Sequence, residues 1–279
     1  MNIYIAKKYN QLDEFEGKFF SGINYKIFKE DVDIYDEEDR LLCKFRKKVL
    51  DDEEIKKLLQ LKSAAKTGYS RPSASGYNSK EEKYKYIISK SSGKKLHVLT
   101  SKSNSGIIGF YDCVSNFGYT TSKHHDRCRM TSFTYKNIEK YRSCLKIFQK
   151  INVMFKKLAP DFYKNQYLAS KNLNKEFLIP KTVFTTVTVN KNFRTALHRD
   201  VGDLKDGFGV MVVASDNDSY SGSFTLFPEY RIGIDCRSGD YMVFDVHRLH
   251  CNSEMIGKDS MRLSFIFYLR EKMIVNCPK

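Results

Sequence analysis

From Pro180 onward the chain alternates short apolar runs with polar punctuation. VFTTVTV, GVMVVAS, SFTLFP, YRIGID, DYMVFDVH and RLSFIFYL follow one another, broken by DNDSYSG, RSGD and IGKDS. Runs of this length, rich in β-branched and aromatic residues and bounded by turn formers, predict strands. Several at regular spacing predict an all-β sandwich or barrel, and a jelly roll is the economical arrangement. Upstream the period changes. Ile138, Tyr141, Leu145, Phe148, Ile151, Phe155 and Leu158 recur every three or four positions, predicting an amphipathic helix over 137–158 whose end Pro160 punctuates. CKFRKKVLDDEEIKKLLQLK reads as a second helix, with Val49, Leu50, Ile55, Leu58, Leu59 and Leu61 at near-helical spacing. YKYII, LHVLT and GIIGFYD predict short strands, and SAAKTGYSRPSASGYNSKEEK predicts a loop, suited to a substrate loop or to a linker. The fold class expected is α+β: a double-stranded β-helix (jelly-roll, cupin-like) core at about 181–272, flanked by N-terminal helices and short strands. The main domain is drawn at 61–279. Residues 1–60, strand-like pieces around the acidic run EDVDIYDEEDR, are set apart as an N-terminal extension of unknown role.

The length of 279 residues fits one sizeable domain or a domain with an extension, and 41% apolar and 14% aromatic content suffices for a core. No apolar run approaches the roughly 18 residues needed to cross a bilayer. The start lacks the apolar stretch and small-residue cleavage site of a signal peptide. Seven scattered cysteines, an odd number never in C-x-x-C spacing, point to a reducing intracellular compartment, nucleus or cytoplasm, with no zinc finger. No membrane partner is expected, and the oligomeric state is not legible.

The net charge of +15 is unevenly placed: −2 over residues 1–60, +16 over 61–180 and +1 over 181–279. A phosphate backbone is the partner such a middle third suits. A codon bias that solvates a helical face is the plain alternative, but a bias should spread along the whole chain.

The chemistry lies in TALHRDVGDLKDGFG and, about fifty residues on, DVHRLHCNSEMIGKDSMRLSFIFYLRE. His198 and Asp200 stand at His-x-Asp spacing, His250 follows, and Arg262 comes twelve residues later. Two imidazoles and a carboxylate form the facial triad that leaves open positions on a non-haem iron(II). A downstream arginine can clamp the far carboxylate of a dicarboxylic co-substrate in bidentate fashion. Along DYMVFDVHRLH, strand parity puts His250 with Met242, Phe244 and Val246, an apolar set suited to the interior, and His247 on the other face. The competing reading is hydrogen-bonded histidines in a metal-free jelly roll.

These segments resemble the TET/JBP family of iron(II)- and 2-oxoglutarate-dependent nucleobase oxygenases, and the JBP branch of thymine hydroxylases more than the TET branch. FTTVTVNKNFRTALHRDVGDLKDGFGVMVVAS, GSFTLFPEYRIGIDCRSGDYMVFDVHRLHCN and RLSFIFYLRE carry the likeness, with weaker echoes in CRMTSFTYKN and FKKLAPDFYKNQ. The resemblance implies that His198, Asp200 and His250 hold iron(II). It implies that Arg262 and Ser264 bind the co-substrate 2-oxoglutarate, that Arg129 adds a second cationic contact, and that O₂ is consumed. Asp203 and Arg270 occupy positions where TET enzymes carry a base-reading asparagine and a base-contacting histidine. Both depart from TET, which points away from 5-methylcytosine and towards hydroxylation of thymine in DNA to 5-hydroxymethyluracil. The same chemistry on RNA or a protein side chain, and a non-enzymatic jelly-roll DNA-binding protein, are the other readings.

Overall fold

The computed structural model describes residues 2–279 apart from 10, 21–23, 71–72, 91, 113–127 and 258. Its largest sheet runs in the order Asn2–Ala6, Val32–Asp36, Leu41–Arg46, Tyr241–Phe244, Gly209–Ser215, Arg262–Tyr268, Thr186–Lys191, Ser101–Tyr111 and Lys66–Ser70. A second sheet orders Cys251–Asn252, Thr225–Phe227, Ile232–Ile234 and Lys26–Phe28. The strands expected after Pro180 are all present, and the jelly roll is the face-to-face pairing of these two sheets.

Each apolar strand has two buried faces, which is why it reads as a continuous run rather than an alternation. On Gly209–Ser215, Val210, Val212 and Ala214 point to one side, where they join Tyr241, Val243, Leu263, Phe265 and Phe267 beneath the helices. Met211 and Val213 point to the other, among Met242, Phe244, Val246, Phe227, Ile232 and Ile234 between the two sheets. The helix Ile138–Leu158 covers the outer face with Ile147, Phe148, Ile151 and Phe155. Pro160 does follow its end, but as the opening residue of another helix, Pro160–Ser170, where a missing N–H costs nothing.

Three local expectations fail for identifiable reasons. The run from Cys43 is not one helix: Leu41–Arg46 is a strand paired with Tyr241–Phe244, and the helix is only Asp52–Leu59. Asp51 and Glu54 close a reciprocal capping box at its start, which fixes where it begins. Lys66–Ser70, expected as loop, is an edge strand on Ser101–Tyr111; the rest of that stretch includes Arg71 and Pro72, which lie outside the described residues. The boundary near residue 60 does not coincide with a structural break. Val32–Asp36 and Leu41–Arg46 extend the large sheet, and Lys26–Phe28 pairs with Ile232–Ile234 in the second sheet. Their charges are satisfied locally, Asp33 receiving both Lys44 and Arg46.

Cys128 and Cys277 are joined, against the expectation of reduced thiols throughout; a separation of 149 residues carries no spacing signal. Cys43, Cys144, Cys236 and Cys251 are free and buried, and Cys113 lies outside the described residues. Among the described residues no helix is long and apolar enough to cross a membrane.

Candidate metal centre

His198 and His250 form an isolated antiparallel bridge, each N–H donating to the other's carbonyl at 3.0 Å. Residues paired directly across a bridge project to the same side. The two imidazoles therefore lie side by side, with ring centroids 4.3 Å apart. Asp200 is brought in by its own N–H, which donates to the Val246 carbonyl at 3.0 Å. One ligand atom from each of His198, Asp200 and His250 falls within a 4.8 Å cluster.

The ring orientations are fixed from behind. His198 Nδ1–H donates to the Ala196 carbonyl and His250 Nδ1–H to the Arg248 carbonyl, both at 2.8 Å. A carbonyl only accepts, so in each ring the proton sits on Nδ1 and the Nε2 lone pair is left to face the carboxylate. The Nε2 atoms stand 3.5 and 3.8 Å from the two Asp200 oxygens. Burial, reinforced by the neighbouring His198, lowers the His250 pKa to about 4, so this imidazole is neutral and available as a ligand at physiological pH.

Between Phe244 and His250 the chain leaves its strand at a turn. His250 thus owes its place to the bridge with His198 rather than to continuous alternation. His247 faces elsewhere: its Nε2 meets the Leu204 carbonyl at 3.1 Å, and it lines a different cleft with Asp245 and Arg248.

The cluster opens into a cavity of about 530 Å³ walled by Ser264, Ile266, Tyr268, Asp203 and Arg270 among others. Gly106 is part of this wall. A Cβ there would fall 2.0 Å from the Ala64 carbonyl oxygen, so only glycine lets the turn at Lys62–Ala64 pack against the strand. Arg262, Ser264, Ile266 and Tyr268 share one face of their strand by alternation. Arg262 is only 4% exposed, yet its Nε and Nη2 have no partner among the described residues. A buried guanidinium with unused donors fits a carboxylate that is yet to arrive. The buried Tyr220 hydroxyl lies within electrostatic reach of Arg262 and Arg237 and beside Ser215, and no spacing in the sequence points to it.

Asp203 and Arg270 are brought together by a backbone bridge at the cavity mouth. Asp203 Oδ2 is buried without a partner among the described residues; burial and then the Asp200 charge raise its pKa, while Arg270 pulls it down. The Arg270 guanidinium is held through Nε by Asp112 and lies 4.6 Å over the Tyr111 ring. Nothing in the sequence singles out Asp112. Tyr268 is legible there, four and six positions beyond Ser264 and Arg262 on the same face; its hydroxyl accepts from Thr188 at 3.4 Å. Arg129 is not brought to this cavity. It is exposed on a short strand beside Tyr111 and lines a separate cleft with Lys66 and Lys136.

The TET/JBP family, described as the oxygenase domain of the 2OGFeDO superfamily, matches residues 113–271. The thymine dioxygenase JBP1 of Trypanosoma brucei brucei is 34% identical over 171 residues, 60% of this chain and 19% of that protein. The bifunctional helicase and thymine dioxygenase JBP2 of Trypanosoma brucei brucei (strain 927/4 GUTat10.1) is 35% identical over 170 residues, 60% of this chain and 15% of that protein. The chain thus spans less than a fifth of the length of these curated relatives. The solved structure of NgTET1 in complex with 5mC DNA superposes with a TM-score of 0.56 at 12% identity, covering 93% of this chain and 86% of that one. That likeness concerns the fold alone.

Proposed function

The chain belongs to the TET/JBP family of 2OGFeDO oxygenase domains, and on that premise we propose that it hydroxylates the methyl group of a pyrimidine base in DNA. The reaction takes iron(II), 2-oxoglutarate and O₂, and thymine is converted to 5-hydroxymethyluracil in preference to oxidation of 5-methylcytosine. The observation that carries this reading is the convergence of His198, Asp200 and His250 in one cavity, beside a strand whose Ser264, Ile266 and Tyr268 line that cavity and whose buried Arg262 has Nε and Nη2 unpartnered among the described residues.

His198 Nε2, His250 Nε2 and an Asp200 oxygen would hold the ion, three protein donors that leave positions open. Iron with 2-oxoglutarate and O₂ supplies the oxidising power for hydroxylating an unactivated C–H bond, with succinate and CO₂ as the co-products. The remaining work belongs to the chain. Arg262 offers a planar fork to the distal carboxylate of 2-oxoglutarate, and the Ser264 hydroxyl donates from the same strand face. Ile266, Met211 and Phe244 keep that part of the wall apolar. A base reaches such a cavity only when flipped out of the duplex.

Thymine preference rests on Asp203 and Arg270. Thymine presents an N3–H donor between two carbonyl acceptors, whereas 5-methylcytosine presents an N4 amino donor beside an N3 acceptor. An ionised Asp203 accepts from thymine N3–H, and Arg270 donates to a neighbouring carbonyl. Burial, the first cause of the raised Asp203 pKa, opposes the ionised form; a cation held on Asp200 offsets the second cause, the carboxylate repulsion, and Arg270 and the thymine N3–H donor both favour ionisation. Facing 5-methylcytosine, the same carboxylate meets the N3 lone pair. An unpaired buried polar group costs about 1–3 kcal/mol, enough for roughly tenfold discrimination.

Mass spectrometry of DNA nucleosides after incubation with iron(II), 2-oxoglutarate and ascorbate tests this directly. The expected product is 5-hydroxymethyluracil from thymine. Succinate release stimulated by RNA or a peptide, but not by DNA, overturns the substrate; no iron uptake at all overturns the chemistry.

A further inference from the structure

Between Ser70 and Ser101 the described residues, 73–90 and 92–100, make an excursion that leaves and returns at the wall of the cavity. Ser70 and Ser101 are paired at its ends; Ser70, Ser103 and Ser105 flanking it and Ser73 and Ser75 within it line the cavity. Its distal part is a two-stranded antiparallel ribbon, Tyr86–Ile88 against Lys95–His97, which among the described residues pairs with no other strand. The ribbon lies outside the residues matched by the family.

Its apolar side chains are not covered. Ile87 and Ile88 are 55% and 64% exposed, Tyr86 and Leu96 are exposed as well, and none of the four belongs to an apolar cluster of the fold. An isolated two-stranded ribbon is marginally stable in water, and exposed apolar surface of this kind marks a contact surface. The charge says with what. From Lys83 to Tyr111 the chain carries six lysines and no aspartate or glutamate. Lys85, Lys90, Lys94 and Lys95 are exposed on the ribbon or its turn, and Lys95 lies 4.2 Å over the Tyr86 ring. A protein partner of ordinary composition would not select an acid-free, lysine-rich face, whereas a polyanion would. A two-stranded ribbon is also a shape that the major groove of B-DNA admits.

We propose that the Tyr86–His97 ribbon docks in a groove of duplex DNA beside the cavity mouth, its lysines on phosphates and Ile87 and Leu96 against the groove wall. This rests on the reading of DNA as substrate and adds to it the element that grips the duplex around the target base. Ile87 and Leu96 are directly opposite one another and so share a face. Tyr86, Ile88, Lys95 and His97 occupy the other.

Fluorescence anisotropy with a labelled thymine-containing duplex, titrated at 50 to 200 mM KCl, provides the test on the full chain. A Lys90→Ala/Lys94→Ala/Lys95→Ala variant should lower the log–log salt slope by about 0.9 for each phosphate it no longer neutralises, or about 2.7 in all. Across that fourfold salt range the wild type then loses about 40-fold more affinity than the variant does. An Ile87→Ser/Leu96→Ser variant should bind several-fold more weakly at an unchanged slope, which separates groove packing from charge. In both variants KM for DNA rises while kcat, and succinate release without DNA, stay as in the wild type. If the wild type binds duplex but the lysine variant keeps its slope, the ribbon proposal falls and the DNA reading stands. If the wild type binds no nucleic acid, the DNA reading itself falls. A larger effect on single strands than on duplex, or a ribbon-dependent dimer in sedimentation, overturns groove docking.

Discussion

Replacing Arg262 probes the site without touching the three proposed iron ligands. Its side chain is buried, with Nε and Nη2 unpartnered, so the ligand-free chain carries a desolvated charge. Removing one partner of a satisfied buried ion pair costs about 3–5 kcal/mol, whereas replacing buried charge by apolar volume is often neutral or stabilising. Arg262→Met should therefore leave the ligand-free chain as stable as the wild type or more so in urea denaturation. Iron-loaded wild-type protein under anaerobic conditions should gain about 2.7 kcal/mol at 2-oxoglutarate a hundredfold above Kd. Arg262→Lys keeps the charge but loses the planar fork, and a charge-assisted hydrogen bond is worth about 1.5–3 kcal/mol. Its Kd for 2-oxoglutarate should thus rise roughly 10- to 150-fold, at unchanged iron content. Calorimetry and the thermal shift measure both quantities. A methionine variant that is several kcal/mol less stable without ligand would show Arg262 to be an internal structural charge. Equal 2-oxoglutarate affinity in wild type and lysine variant would put the clamp elsewhere.

Alanine at His198, Asp200 or His250 should abolish stoichiometric iron binding, measured by metal analysis after gel filtration, whereas His247→Ala should keep it because His247 bonds only outside the cluster. Asp203→Asn should narrow the preference for thymine from roughly tenfold towards parity in matched-oligonucleotide assays, since the amide can donate to N3 of 5-methylcytosine; an unchanged ratio removes Asp203 as the base reader. Asp36 accepts from the N–H groups of Glu38 and Arg40 and from the Arg40 guanidinium, closing the turn between Val32–Asp36 and Leu41–Arg46. Burial works against its ionisation but those donors outweigh it, so its folded pKa lies below the ordinary 3.8. The carboxylate's contribution is therefore complete above that value and lost as pH falls through the lowered folded one. Asp36→Ala should cost about 1–3 kcal/mol at pH 7 and flatten the acid limb of a pH–stability curve; an acid limb like that of the wild type contradicts the assignment.

What is legible in the chain follows the range of the forces involved. The strands after Pro180 and the helix Ile138–Leu158 are specified by burial of their own side chains, a local pattern. Leu41–Arg46 is not legible, because Lys44, Arg46 and the following lysines look like a helix face. Its strand state comes from Tyr241–Phe244, about two hundred residues away, and from Asp33 across the hairpin. Arg129 fails for a related reason. Its placement depends on a two-residue pairing with Phe110 and Tyr111, which turns it to an outer cleft and leaves no local trace in CRMTSF.

The His198–Asp200–His250 cluster illustrates how a residue can be selected by an incomplete argument. Alternation along DYMVFDVHRLH selects His250, yet the strand stops at Phe244 and a turn intervenes. Met242, Phe244 and Val246 do face the space between the sheets, but they fix only the direction in which the chain enters the turn. What sets the imidazole is the reciprocal pair of backbone hydrogen bonds to His198, together with the Arg248 carbonyl behind Nδ1. His198 is held in the same way by Ala196, and Asp200 by Val246, which lies within the turn itself. Three side chains of the cluster are thus positioned by main-chain bonds running between two loops, so their geometry is insensitive to most side-chain substitutions around them. Arg262 and Ser264 instead ride on a central strand whose other face is locked under the helices by Leu263, Phe265 and Phe267. The strand that carries Arg262 and Ser264 is consequently rigid by packing and the His198–Asp200–His250 cluster by backbone pairing. Asp203 and Arg270 are likewise joined by a backbone bridge, with Asp112 holding the Arg270 guanidinium; on the proposed reading these two side chains face the base, so substitutions there are the ones expected to change which pyrimidine is accepted.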